Sequence, residues 1–129
     1  MSEQLEQLVR LQAELHEVNE ELAQAARPLE RLSELNDHPL VGETRLRGFM
    51  GAIELVKDKK TRQTFEPLGD VGTICRDHCF NIGLVMRATR DTMLISPPLS
   101  WTKAEIDEFM TLTRRALDLT LADVKRRFA

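Results

Sequence analysis

The sequence is poor in several features that would narrow its function. It has no tyrosine and only 5% aromatic residues, and its six glycines lack the close spacing of a phosphate-binding loop. No apolar run approaches the roughly 20 residues that a membrane span needs. Two cysteines and an acidic, amphipathic N-terminus argue against a secreted, disulfide-linked protein. We therefore expect no membrane partner and a cytoplasmic location.

The remaining composition is that of one packed domain. The chain has 129 residues, of which 42% are hydrophobic and 30% charged, which suffices for a core but not for two ordinary domains. Its net charge is −3, and its basic residues cluster only briefly, at 57–60 and 125–127. This balance gives no electrostatic footprint for nucleic acid, so no nucleic-acid partner is expected.

The N-terminal segment, residues 3–27, has the pattern of an amphipathic helix. Its apolar residues recur at alternating spacings of three and four, as in a heptad seam: Leu8, Leu11, Leu15, Val18, Leu22, Ala25, Leu29 and Leu32. This seam can pair with a partner helix or pack on the chain's own sheet. Because Ala25 and Pro28 interrupt it, we favour the second interpretation. Pro28 also predicts a kink, or a break followed by a second short helix through Leu35.

Residues 41–56 have the composition of one strand whose buried face changes at Gly48. Leu46 lies on one face before this glycine, whereas Ile53 and Leu55 lie on the other face after it. Because strand side chains alternate with period two, we expect a bulge or kink at Gly48. Two further strands are expected at about 84–89 and 92–96, with a turn at 90–91.

Two more helices complete the expected fold. Residues 70–81 read as a helix with Gly83 just past its end, and Thr102 and Glu105 have the spacing of a capping box that begins a helix to about residue 126. The element order α-β-α-β-β-α predicts a two-layer α+β fold, in which the long N- and C-terminal helices cover a three-stranded, mostly antiparallel sheet. The expected core comprises Leu15, Leu22, Phe49, Ile53, Leu55, Ile74, Leu84, Met86, Leu94, Phe109, Met110 and Leu117.

Metal or nucleophile chemistry has one candidate cluster. Cys75, His78 and Cys79 share a helix face, and a soft metal such as zinc could bind all three. A fourth ligand would have to be His38, His16 or a carboxylate, and the sequence does not locate one. We favour buried thiols beside a partly exposed histidine, and expect no metal. No Gly-x-Ser-x-Gly elbow or other activated nucleophile is present.

Arg87 is the charged residue with the sharpest functional interpretation. It lies within an apolar strand, next to Met86 and Ala88. A guanidinium offers a rigid fork that binds a carboxylate at two points. The alternative is an ordinary arginine on a sheet edge or solvent face.

Six segments together resemble a known family. They occur in order and at matching spacing: VGETR at 41–45, GFMGAIELV at 48–56, CRD at 75–77, GLVMR at 83–87, SPPL at 96–99 and AEIDE at 104–108. Together they resemble the C-terminal small domain of class III pyridoxal-phosphate-dependent aminotransferases, in the amine:pyruvate omega-transaminase branch. The resemblance covers about residues 38–119.

The resemblance implies a role for Arg87 and no catalysis by this segment alone. In the family the matching arginine is mobile and binds the substrate carboxylate. The lysine and the acidic residue that hold the cofactor lie on the large domain, before this segment. None of the five lysines here matches that lysine: Lys57, Lys59, Lys60, Lys103 and Lys125. We therefore expect no catalytic residues, no cofactor, no small-molecule substrate and a vestigial Arg87.

Departures from the family pattern favour a redesigned protein over the alternative, a natural truncated homologue. Residues before about 29 match poorly, Arg47 and Arg90 stand where small residues are usual, and Ser100 and Trp101 replace aliphatic residues. We expect one domain: a helical segment over 1–37 of designed origin, an aminotransferase-like part over 38–119, and a helix end over 120–129. For a redesigned protein, the alternative to a cytoplasmic location is that it is made only by recombinant expression.

A binding module built on this scaffold is the alternative function. Its contact surface would include large apolar residues of the C-terminal half: Trp101, Met110, Phe80 and Ile82. The alternative for Trp101 is that its side chain fills the core, and we favour that alternative. The partner would be a second copy, forming a homodimer, or a designed protein.

Overall fold

A computed structural model describes residues 2–47, 50–98 and 100–127, and the side chains of 21–28 lie outside this description. Helix α1 spans Glu3–Ala26 and is followed directly by a 3₁₀ helix over Arg27–Asp37. Helix α2 spans Asp70–Asn81 and helix α3 spans Lys103–Arg127. The strands are β1 (Val41–Arg47), β2 (Met50–Leu55), β3 (Arg87–Thr89) and β4 (Thr92–Ile95).

The α+β class is confirmed, but the sheet has four strands. They are antiparallel, in the order β1-β2-β4-β3. The expected single strand over 41–56 is a hairpin, in which Arg47 pairs with Met50 and Arg45 with Ala52. A reversal of direction changes the buried face as a bulge would, so the sequence pattern alone did not separate the two. Gly48 lies outside the described residues.

One face of the sheet carries the core. Alternate residues of β2 and β4 are buried there, including Ile53, Leu55 and Met93. The 3₁₀ helix packs closely on this face, since a Cβ added to Gly51 would lie 2.8 Å from the Leu32 side chain. Helix α2 contacts β3 and β4, and α3 packs against α2 and the 3₁₀ helix.

The prediction that the N-terminal helix covers the sheet is wrong. All described side chains of α1, over residues 3–20, are exposed, including Leu15, which we had expected in the core. The 3₁₀ helix covers the sheet instead, through Leu29, Leu32 and Leu35, which are buried. The α-helix ends at Ala26, just before Pro28, so the expected break is present.

Most other expected core residues are buried. Seven are confirmed: Ile53, Leu55, Leu84, Met86, Phe109, Met110 and Leu117. Ile74 and Leu94 are half-buried, while Phe49 and the Leu22 side chain lie outside the described part. Phe65, in the connector that the sequence suggested was polar, is 1% exposed.

The capping box of α3 and the glycine after α2 lie where the sequence predicts them. In the α3 capping box, Glu105 N donates to Thr102 Oγ1 (3.2 Å) and Thr102 N donates to Glu105 Oε1 (3.2 Å). Gly83 follows α2 with φ of 93°. These contacts join residues close in sequence, which is why the sequence suffices to predict them.

Candidate functional site

Arg87 lies on the face of the sheet opposite the core. Strand pairing places Arg45, Ala52, Leu94 and Arg87 in one row across the four strands, with Arg45 and Arg87 at its two ends. Side chains directly opposite one another point to the same face. Three strand spacings put the two arginine Cα atoms about 14 Å apart. The described residues of this face are exposed or half-buried, so it is a mixed apolar and charged surface.

The two arginines at the ends of this row differ in their partners. Arg45 Nη1 donates to Glu54 Oε2 and to Glu43 Oε2, each at 2.8 Å. The hydrogen bonds to Glu54 and then Glu43 raise the pKa of Arg45. Arg87 makes no ion pair with any described residue. Arg87 is therefore the arginine of this row whose fork is free to bind an external carboxylate.

A groove borders Arg87 where β3 meets α2. Its volume is about 490 Å³. Phe80 and Val85 form part of its wall and are 70% and 74% exposed. Arg76 and Asp77 also line the groove and contact each other, with 3.4 Å between Nη2 and Oδ1. The groove combines a free guanidinium with apolar walls, which suits a small carboxylate attached to an apolar group.

The turn of the β3–β4 hairpin is anchored by Asp91. Its buried Oδ1 accepts the N–H groups of Gly69 (3.2 Å) and Gly72 (2.8 Å), and its backbone oxygen accepts Leu55 N (2.9 Å). Asp91 thus caps the N-terminus of α2 from a distant segment. Sequence reasoning missed this role. The signal was indirect: Gly69, at the cap position, has no side chain to accept those bonds.

The Cys75, His78 and Cys79 cluster is divided between two environments. Both thiols are buried and lie in contact. Their hydrogen bond lowers the pKa of Cys75 and raises that of Cys79, which burial raises further. His78 is half-buried, and its Nε2 lies 2.5 Å from Asp123 Oδ2 on α3. Within the described part of the chain, no group of three or more histidine, cysteine or acidic side chains is placed to hold a metal ion.

His38, another residue considered as a metal ligand, joins the 3₁₀ helix to α3. His38 is 3% exposed. Its Nδ1 accepts a hydrogen bond from Leu40 N (3.2 Å). The ring proton is therefore on Nε2, which donates to Asp118 Oδ1 (2.8 Å). His16 is exposed on α1, 3.1 Å from Glu20. Both histidines have partners within the fold, and neither lies near Arg87.

The four residues considered for a binding surface do not share one. Met110 is buried, which corrects its assignment to a contact surface. Trp101 is half-buried, with its ring 5.7 Å from that of Phe109, and Ile82 is also half-buried. Phe80 is the one exposed member of the set, and it borders the Arg87 groove.

The lysines of the chain lie away from the sheet that carries Arg87. None belongs to a strand of the sheet: Lys57, Lys59 and Lys60 follow β2, and Lys103 and Lys125 are on α3. Lys59 Nζ donates to the backbone oxygens of Asn36 and His38. The described residues that line the Arg87 groove include no lysine.

Comparison with curated proteins finds aminotransferases. No protein-family model matches the chain. Over 94 residues, 73% of the chain, it is 57% identical to the putrescine–pyruvate aminotransferase of Pseudomonas aeruginosa, covering 20% of that protein. It is 36% identical over 86 residues to the adenosylmethionine-8-amino-7-oxononanoate aminotransferase of Nitratidesulfovibrio vulgaris, covering 67% of this chain and 16% of that protein. The chain thus spans about a fifth of the length of these relatives.

Solved structures show the same relationship. The omega transaminase of Pseudomonas jessenii in complex with PMP superposes with a TM-score of 0.77 at 33% identity, over 87% of this chain and 25% of that one. The PMP-bound aminotransferase of Vibrio fluvialis gives 0.73 at 34% identity, over 82% and 25%. The homologues of this chain are class III pyridoxal-phosphate-dependent aminotransferases, and the chain corresponds to a fragment of them. Among the helices described, none is long and apolar enough to cross a bilayer.

Proposed function

We propose that this chain, homologous to a fragment of class III aminotransferases, is their C-terminal small domain and folds as one unit without transaminase activity of its own. Two observations support this. The core is continuous from the 3₁₀ helix to α3, and no lysine is among the described residues that line the Arg87 groove. A reaction that passes through an imine with the enzyme needs such an amine.

The second part of the proposal concerns Arg87. When a large domain completes the site, the Arg87 guanidinium binds the carboxylate of the substrate. Its fork has no ion-pair partner among the residues that the structure describes, unlike that of Arg45 in the same row. The exposed apolar side chains beside it would contact the rest of the substrate. The observation on which this depends is the unpaired state of Arg87.

The domain limits belong to the same proposal. Residues 38–119 form the aminotransferase-like part, 120–129 complete α3, and 1–37 form the helical segment. Designed origin of that segment stays a prediction, supported by its regular seam and by Arg47 and Arg90 at positions where small residues are usual.

Activity of the chain alone is tested with the purified protein. We expect no absorbance band of protein-bound pyridoxal phosphate after addition of the cofactor, and no transfer of an amino group from an amine to pyruvate. If both the absorbance band and the amino-group transfer appear, the chain has transaminase activity of its own and this part of the proposal is wrong.

The role of Arg87 is tested in a chimera. This chain's residues 38–119 replace the matching segment of the Pseudomonas aeruginosa putrescine–pyruvate aminotransferase. We expect an active chimera in which Arg87→Ala raises the KM for pyruvate by roughly 10- to 100-fold, because a charge-assisted bidentate pair contributes about 1.5–3 kcal/mol. Arg45→Ala is the matched control and should change this KM less than threefold. Equal effects of the two substitutions would rule out a special role for Arg87.

A further inference from the structure

Helix α1 has an apolar stripe that nothing described in the chain covers. Leu8, Leu11, Leu15 and Val18 follow one another at spacings of three, four and three, and each is about half exposed or more. The 24 residues of α1 extend about 36 Å. An amphipathic helix gains most of its stability from packing its apolar face, so this helix lacks its stabilising contact within the chain.

We propose that a second copy of this chain supplies that contact, and that the two α1 helices pair in parallel as a short coiled coil. With Leu8 and Leu15 at heptad position a, Leu11 and Val18 fall at position d. Two copies then present identical seams to each other about a two-fold axis, as a closed dimer requires. The inference is independent of the aminotransferase proposal.

The charges flanking the seam favour the parallel arrangement. In a parallel pair each g residue faces the e residue of the next heptad on the partner. Gln7 then faces Gln12 and Glu14 faces Asn19, so no like charges meet. In an antiparallel pair that brings Leu11 opposite Leu15, Glu14 would face Glu14 of the second copy. Like charges in such positions are destabilising.

The remaining charges of α1 lie away from the seam. The helix has six glutamates and one arginine, and of its glutamates only Glu14 and Glu21 fall at the flanking g positions. Repulsion between the outer glutamates of two copies acts through water, where it is screened within about 8 Å at physiological salt. The seam can therefore close despite the acidic helix, and raising the salt concentration should tighten the pair.

Sedimentation equilibrium of the full chain over a wide concentration range tests the association. We expect a reversible dimer that tightens with added sodium chloride. Leu11→Glu, at position d, should weaken dimerisation at least tenfold. Val9→Glu is the matched control: Val9 is 55% exposed against 61% for Leu11, and the substitution adds the same charge at outer position b. A wild-type chain that stays monomeric at every concentration, or equal weakening by both substitutions, would overturn the proposal.

The orientation has a test of its own. Leu8→Cys places two thiols opposite each other only in the parallel pair, and the native Cys75 and Cys79 are buried. We expect oxidation to link Leu8→Cys into a covalent dimer much faster than Val9→Cys. The same rate for both would contradict the parallel seam. Fluorescence of Trp101, which is half-buried beside Phe109, checks that each variant keeps its native domain.

Discussion

At the scale of single residues, Gly72 and Asp91 show how a distant contact overrides local preference. Gly72 lies inside α2, where alanine is ordinarily better by about 1 kcal/mol. A Cβ at this position would lie 2.2 Å from the backbone oxygen of Arg90 and 3.1 Å from Asp91 Cα. Because Gly72 has no side chain, the β3–β4 turn can pack directly against α2.

A glycine-to-alanine substitution inside a helix usually stabilises a protein, whereas Gly72→Ala should destabilise this one. We expect it to lower the free energy of unfolding by about 1–3 kcal/mol, as overpacking does, measured by urea denaturation. Thr73→Ala, one residue further along the same helix and exposed, is the control and should stay within about 0.5 kcal/mol of the wild type. A more stable Gly72→Ala variant would show that the turn can move away from the helix.

Arg90 is a residue whose backbone conformation costs stability. Its φ is 55°, in the left-handed region that glycine adopts without strain. We expect Arg90→Gly to stabilise the domain by about 0.5–1 kcal/mol and Arg90→Val to destabilise it by a similar amount, because a β-branched side chain tolerates this region least. Thermal unfolding of the three proteins checks the order, and any other order would contradict the strained turn.

At the scale of elements, α2 and α3 are joined by a charged contact. His78 on α2 donates to Asp123 on α3, and Arg126 donates to the same carboxylate. The hydrogen bond from His78, followed by that from Arg126, lowers the pKa of Asp123 below its ordinary value. A carboxylate with a lowered folded-state pKa stabilises the fold while ionised.

This pairing predicts a specific acid sensitivity. The stabilising contribution of Asp123 is complete above the ordinary carboxyl pKa of about 3.9 and is lost as the pH falls through the lower folded-state value. We therefore expect the urea midpoint of Asp123→Asn to fall less between pH 5 and pH 3 than that of the wild type. Glu108→Gln, an exposed carboxylate on the same helix, should keep the wild-type acid dependence. If both variants behave alike, the contact does not stabilise the helix pair.

At the scale of the whole molecule, the fold divides into a packed domain and a projecting helix. The buried residues run from Leu29 to Val124, and all described side chains of α1 are exposed. The domain therefore contains the contacts that resist unfolding, whereas α1 offers a surface to other molecules.

Removal of residues 2–20 should leave the domain intact. At a concentration where the chain is monomeric, we expect the thermal midpoint of the shortened chain to match that of the full chain. Leu32→Ala, which opens a cavity under β2, should instead cost about 2–5 kcal/mol. A large loss on shortening would show that α1 supports the core.

The sequence predicted what depends on neighbouring residues. The capping box of α3, the range of α2, the left-handed Gly83 and the β3–β4 hairpin all rest on hydrogen bonds or backbone preferences within a few positions. The candidate Arg87 was identified from its place in an apolar strand and from a family resemblance, and the comparisons support that resemblance over about two thirds or more of the chain.

Only the tertiary structure decided which surfaces meet. Amphipathic spacing predicts an apolar stripe on a helix but not the surface on which that stripe packs. The sequence therefore did not predict that the 3₁₀ helix, rather than α1, covers the sheet. A change of buried face at Gly48 was equally consistent with a bulge and a hairpin. The order and register of the strands placed Arg45 and Arg87 in one row, and Arg45 bonds to Glu54 on the neighbouring strand. These outcomes depend on contacts between segments far apart in sequence, whose free energies no local pattern encodes.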